Sequence, residues 1–230
     1  MAKEVIVTAN KIKKRKRLLK VLNLVTFTVF ASMLSIFIVL NFVYNGGKLS
    51  INLEKDLVEK KGIVLYDDSL DKNISRKLFA TDLEYMDNIS INWLPANIDS
   101  EAEGSHNGDN YIAYTFFLEN QGEETINYWY TVFIDDVIKN VDEAIRVIIY
   151  KNGEKNVYAK INEDKNEPEK DTIPFHDEEI IVVEKQENFK PGDIDKFTMV
   201  VFLEGDDPDC VNKILGGEIK LHMEITGENS

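Results

Sequence analysis

Glu204, Asp206, Asp207 and Asp209 place four carboxylates on one short stretch of chain. Acids this crowded repel unless the backbone spreads them or a cation bridges them, and hard oxygen ligands of this kind suit calcium. The expectation is either a solvated acidic turn or a calcium site formed by those four residues; no other cofactor is suggested. Asp99-Ser100-Glu101-Ala102-Glu103-Gly104 imitates the opening of an EF-hand loop, but its twelfth position is Asn110, where a bidentate glutamate is wanted. His106, His176 and His222 form no H-E-x-x-H motif, and no two of them share a helical turn. His222 reads as a solvated strand residue, and His176 heads the acidic loop His176-Asp177-Glu178-Glu179. Cys210 follows Asp206-Asp207-Pro208-Asp209, whose negative field raises a thiol pKa and makes it a poor nucleophile. There is no G-x-S-x-G, and neither Gly46-Gly47 nor Gly216-Gly217 has the strand–helix context of a phosphate loop. No catalytic set emerges, so a non-enzymatic role is the expectation.

The chain that must position these groups is made of three materials in series. Its 230 residues carry 27 basic and 41 acidic side chains, for a formal net charge of -14. Residues 1–20 hold eight of the basic groups against the single acid Glu4, a balance of +7. Residues 21–44 hold no charge, which leaves nineteen basic against forty acidic groups beyond them, a balance of -21. An acidic chain lacks the cations that neutralise phosphate, which argues against a nucleic-acid partner. A single cysteine excludes a disulfide framework and a multi-cysteine zinc site.

Val21–Tyr44 is longer than the roughly 20 apolar residues a helix needs to cross hydrocarbon. Its polar members, Asn23, Thr26, Thr28, Ser32, Ser35 and Asn41, are all uncharged. A secretory h-region is shorter and ends in small residues, whereas this run leads into Asn41-Phe42-Val43-Tyr44-Asn45. The expectation is a retained transmembrane helix at 21–44. The basic tail, 1–20, then stays cytoplasmic by the positive-inside rule, and the acidic part, 48–228, lies outside the cell membrane.

That outer part alternates with a period of two. Lys48–Glu54, Ile63–Tyr66 and Asn88–Leu94 read as short strands, the last with Ile89, Ile91 and Trp93 on one side. Tyr111–Asn120 and Thr125–Ile134 flank Gln121-Gly122-Glu123-Glu124 and read as an aromatic antiparallel hairpin, either core or a sticky surface. Ala144–Tyr150 and Lys155–Ile161 flank Asn152-Gly153, a pair suited to the positive φ angles of a type I′ turn. Glu179–Glu184, Asp195–Glu204 and Gly217–Thr226 complete a set of about nine strands, the pattern of an all-β sandwich. Asp71–Leu83 has near-helical apolar spacing and reads as a short helix or an irregular crossing, and Val137-Ile138 with Val141 and Ile145 as one helical turn between strands. The acidic loops Asp99–Asn110 and Asn162–Asp171 read as solvated surface.

Phe202-Leu203-Glu204-Gly205-Asp206-Asp207-Pro208-Asp209-Cys210, followed by Gly216-Gly217-Glu218-Ile219-Lys220, resembles the C-terminal end of TasA/camelysin-like secreted proteins of Gram-positive bacteria. Asn140–Val147 with Tyr150–Gly153, and Phe117–Asn120, are similar to the same group, so the resemblance covers roughly residues 111–226. It implies a jelly-roll-like β-sandwich outside the cell, in a group whose members include biofilm fibre subunits, surface proteins and a metalloprotease. Val43-Tyr44-Asn45-Gly46 departs from the Ala-Tyr-Phe type of signal end usual in the group. The expected function is that of a single-pass, membrane-anchored surface protein with a structural or binding role in the envelope or matrix. Its partners would be an envelope protein or a second copy of the chain. The alternatives are a surface metalloprotease of camelysin type and an accessory subunit of an envelope or secretion complex.

Overall fold

A computed structural model describes residues 2–44, 48–162 and 167–228. The junction 45–47, which carries the Gly46-Gly47 pair, and the middle of the second acidic loop, 163–166, lie outside the described residues. The chain divides into two units, Met1–Gly46 and Gly47–Ser230.

The first unit is one helix, α1 (Ala2–Tyr44). Within it Lys11–Ile38 has the length and composition of a single membrane pass. Phe27, Phe30, Met33 and Phe37 are all exposed, so this helix buries its apolar surface in no core of its own. The hydroxyls of Thr26, Thr28, Ser32 and Ser35 turn back onto the helix. Thr26 Oγ1 donates to the Leu22 carbonyl at 2.9 Å and Ser35 Oγ to that of Ala31 at 2.9 Å, with Thr28 and Ser32 bonded likewise to Val25 and Val29. Such internal satisfaction is what an apolar solvent requires of a hydroxyl.

The second unit is mostly strands: β1 (Leu49–Leu53), β2 (Ile63–Tyr66), β3 (Lys77–Phe79), β4 (Asn88–Ile89), β5 (Gly104–Ser105), β6 (Tyr111–Asn120) and β7 (Ile126–Ile138) in its first half. There follow β8 (Ile145–Lys151), β9 (Glu154–Ala159), β10 (Ile173–Pro174), β11 (Ile180–Phe189), β12 (Ile194–Glu204) and β13 (Glu218–Gly227). One sheet has the order β11-β7-β13-β1-β3 and the other β10-β9-β8-β12-β6-β2, with β4 beside β12 and β5 on β6. Both are mixed: β1 runs parallel to β13, and β10 parallel to β9.

Alternate residues of the two sheets meet in one core. Ile51, Tyr128, Tyr130, Val132 and Met223 from the first sheet join Tyr114, Phe116, Phe197 and Met199 from the second. Tyr130 meets Phe197 edge-on with centroids 5.2 Å apart, a preferred aromatic geometry. The larger sheet is covered on its outer face too. There Ile89 and Ile98 pack with Ala113, Ile148, Val200 and Phe202 in a second cluster. Burial on both faces explains why β8 and β12 read as nearly continuous apolar runs.

Several expectations change. Tyr111–Asn120 and Thr125–Ile134 are not a hairpin: β6 pairs with β12 and β2, whereas β7 pairs with β11 and β13 in the other sheet. The turn between them crosses from sheet to sheet, because Gln121 N donates to the Gly62 carbonyl at 3.1 Å and draws the chain towards a helix the sequence reading missed. Both strands supply the core with Tyr114, Phe116, Tyr128 and Tyr130, whereas Trp129 and Phe133 stay partly exposed on the other face of β7. That missed helix, α2 (Lys55–Lys61), has i,i+4 pairs Lys55–Glu59 and Asp56–Lys60 and ends at Gly62, φ 69°.

Asp71–Leu83 contains no helix. Its centre is β3, paired antiparallel with β1, and it is an irregular crossing on either side. Asn88–Leu94 is a strand only at β4; Ser90 then caps a 3-10 turn, Ile91–Trp93, which leaves Trp93 exposed. Val137-Ile138 extends β7, and the helical turn falls instead at Val141–Glu143.

Candidate functional site

The end of β12 carries the acids that the sequence singles out, and the fold separates them into two pairs. Glu204 and Asp206 face the segment after β4. Glu204 Oε2 accepts from Ile91 N at 3.0 Å, Glu204 Oε1 from Asp206 N at 3.2 Å, and Asp206 Oδ2 from the Ser90 hydroxyl at 3.0 Å. Asp207 points to the start of β8, and an Asp209 carboxylate oxygen lies within 4.8 Å of the Asp207 carboxylate. Asp207 Oδ2 lies 2.6 Å from Arg146 Nη2, and both side chains are buried. Asp207 Oδ1 accepts from Asp209 N at 2.8 Å.

Arg146 also approaches Glu169 Oε2 at 3.8 Å, and the other Glu169 oxygen accepts from Asn162 Nδ2 at 3.0 Å. Among the described residues, the carboxylates that converge are therefore Glu169, Asp207 and Asp209, with ligand oxygens within 4.8 Å of one another. A calcium ion drawn to this end would find its oxygens there rather than in the full set Glu204, Asp206, Asp207 and Asp209. It would compete with the Arg146 guanidinium for Asp207. Glu169 escaped sequence reading because it sits in a loop that looked merely solvating, and Arg146 because it is embedded in the apolar run of β8.

Cys210 lies half-buried beyond Asp209. Burial pushes its thiol pKa up, and Asp207 and Glu204 add to the shift, while a hydrogen bond with Asn88 opposes it. The direction matches the sequence expectation, but desolvation is the larger cause. Cys210 also lines a cleft of about 310 Å³ between the two sheets, walled by Leu49, Val141, Val201, Leu203 and Leu221. Gly217 is part of that wall, since a Cβ there would stand 2.8 Å from the Ile138 and Ile214 carbonyl oxygens.

The histidines serve separate parts of the fold. His106 Nε2 pairs with Thr115 Oγ1 at 2.9 Å, and Thr115 in turn bonds Thr198 at 2.7 Å. Burial holds the His106 pKa below its ordinary value. His222 is not simply solvated: its ring stacks on Phe133 with centroids 4.8 Å apart, and Nδ1 lies 2.7 Å from Asp135 Oδ1. His176 lies in the turn that leads into β11, its backbone N donating to the Ile181 carbonyl at 3.2 Å. The EF-hand-like loop is used as a strap: Glu103 accepts from Ser69 N and Oγ, and the Asp99 carbonyl from Thr198 Oγ1.

No protein-family model matches the chain, and no curated protein matches it. Among solved structures, the β-glucosidase of Kluyveromyces marxianus in complex with glucose shows a likeness with a TM-score of 0.25 and 13% identity. It covers 70% of this chain and 15% of the glucosidase. A likeness that weak carries no argument about fold or activity.

Proposed function

We propose that this is a single-pass membrane protein that displays an acidic, jelly-roll-like β domain outside the cell, with a structural or binding role in the envelope or matrix. The contrast between the two units carries this proposal: Lys11–Ile38 exposes apolar side chains, whereas the second unit buries its own in a shared core. The basic residues ahead of Val21 favour a cytoplasmic N-terminus, and the resemblance of residues 111–226 to TasA/camelysin-like proteins favours a surface location. Glu204, Asp206, Asp207 and Glu169, like His106 and His222, bond to the domain's own groups, as in a scaffold. Contact with an envelope protein or a second copy would use β11, the longer of the two outer strands of its sheet, because an edge strand offers unpaired backbone groups. Fractionation tests the anchor. The chain should stay with membranes after an alkaline carbonate wash and retain Lys11–Ile38 by peptide mapping; a soluble product that lacks this segment would contradict it. Sedimentation of the detergent-solubilised chain then separates self-association from a partner of another kind.

A further inference from the structure

A second buried polar group sits at the start of β12, the opposite end of the strand from Glu204. Lys151 ends β8 directly across from Phe197, so Lys151 and Asp195, two residues before Phe197, project to the same core-facing side. Lys151 Nζ lies 3.5 Å from Asp195 Oδ2, and the two side chains are only 17% and 9% exposed. The rings of Tyr128, Tyr130 and Phe197 surround the amine, with centroids 5.4, 5.6 and 5.7 Å away. Both carboxyl oxygens hold a donor: the Tyr128 hydroxyl bonds Oδ2, and Asn152 Nδ2 donates to Oδ1 at 2.6 Å. Gln186 Oε1 accepts from Nζ and fixes its direction. Burial lowers the Lys151 pKa, against the opposing pull of Asp195, and so favours the nucleophilic free amine.

We infer that Lys151 and Asp195 condense into an intramolecular amide that ties β8 to β12. In this step Nζ first passes one ammonium proton to Asp195 Oδ2; the freed lone pair then attacks Cγ, a C–N bond forms and the Cγ–Oδ2 bond breaks. Nζ gives up two of its three ammonium protons, and Oδ2 leaves with both as water, so no oxidant or co-reactant is needed. The Tyr128 hydroxyl relays a proton to the departing Oδ2. Asn152 Nδ2 supports the charge that builds on Oδ1, as an oxyanion donor does. The fold removes the usual obstacle to such a condensation by holding amine and carboxyl together in a largely dry site, which raises their effective concentration. A chain with one cysteine has no internal disulfide available. A Lys151–Asp195 amide would constrain the unfolded chain in the same way, closing the segment between β8 and β12.

Tryptic mapping of the full-length, detergent-extracted protein tests this. The expected product joins Val147–Lys155 to Gln186–Lys196, one water lighter than the two peptides together, with no cleavage after Lys151. Asp195→Ala and Lys151→Arg should return the separate peptides. Quantitative cleavage after Lys151 in the wild-type protein would overturn the inference whether or not either variant folds, and a cross-link that survives in Asp195→Ala would overturn the pairing.

Discussion

Arg146 is the residue on which the acidic end of β12 turns. It is buried beside Asp207, and Glu169 approaches the same nitrogen, Nη2, at 3.8 Å. Removing one partner of a buried pair leaves the other charge uncompensated, a loss of about 3–5 kcal/mol. Arg146→Met should therefore lower unfolding free energy by that amount in a denaturant titration, whereas exchange of the exposed pair Lys55–Glu59 should cost well under 1 kcal/mol, or roughly nothing. Because Arg146 already faces Asp207, millimolar calcium should move the unfolding midpoint less than Arg146→Met does. His106 gives a pH signature. Its folded pKa is depressed by burial, so the unfolded chain takes up the proton first, near pH ~6.5. Stability should fall as pH drops below that value until the folded value is reached. Melting wild type and His106→Gln between neutral and mildly acidic pH should show a shallower slope in the variant. The acids of this site were legible one by one in the sequence. Their grouping was not, because Arg146 and Glu169 reach Asp207 only through sheet pairing and a loop return.

At the scale of elements, the decisive event is the crossing between β6 and β7. Gly122 allows it: a Cβ there would stand 1.9 Å from the Lys61 carbonyl oxygen. Gly122→Ala should force the end of α2 away and cost about 3 kcal/mol, at the top of the usual overpacking range. Gly153→Ala, at φ 87° with nothing within 4 Å of the added carbon, should cost only about 1 kcal/mol, from backbone conformation alone. The contrast also shows what a sequence makes legible. Asn152 and Gly153 adopt φ 52° and 87°, so the β8–β9 hairpin could be read from its turn. The alternation in Tyr111–Ile134 marked two strands correctly but carried no information on their partners, which are chosen by the shared core. In α2 only Leu57 is buried, which left too little apolar periodicity to see, although Gly62 and the i,i+4 charges were there to find.

For the molecule as a whole, the net charge of -14 averages a basic stretch, 1–20, an uncharged stretch, 21–44, and a strongly acidic β domain. Division into two units follows the same lines: one unit with its apolar residues outside, the other with them inside. That contrast calls for two solvents, hydrocarbon around the uncharged part of Lys11–Ile38 that begins at Val21 and water around the sheets. Protease treatment of intact cells that carry a tag at each end of the chain tests this most directly. The proposed arrangement predicts loss of the C-terminal tag while the N-terminal tag remains in the membrane fraction on a short protected fragment. A C-terminal tag that stays protected until the cells are lysed, or an N-terminal tag absent from the membrane, would contradict it.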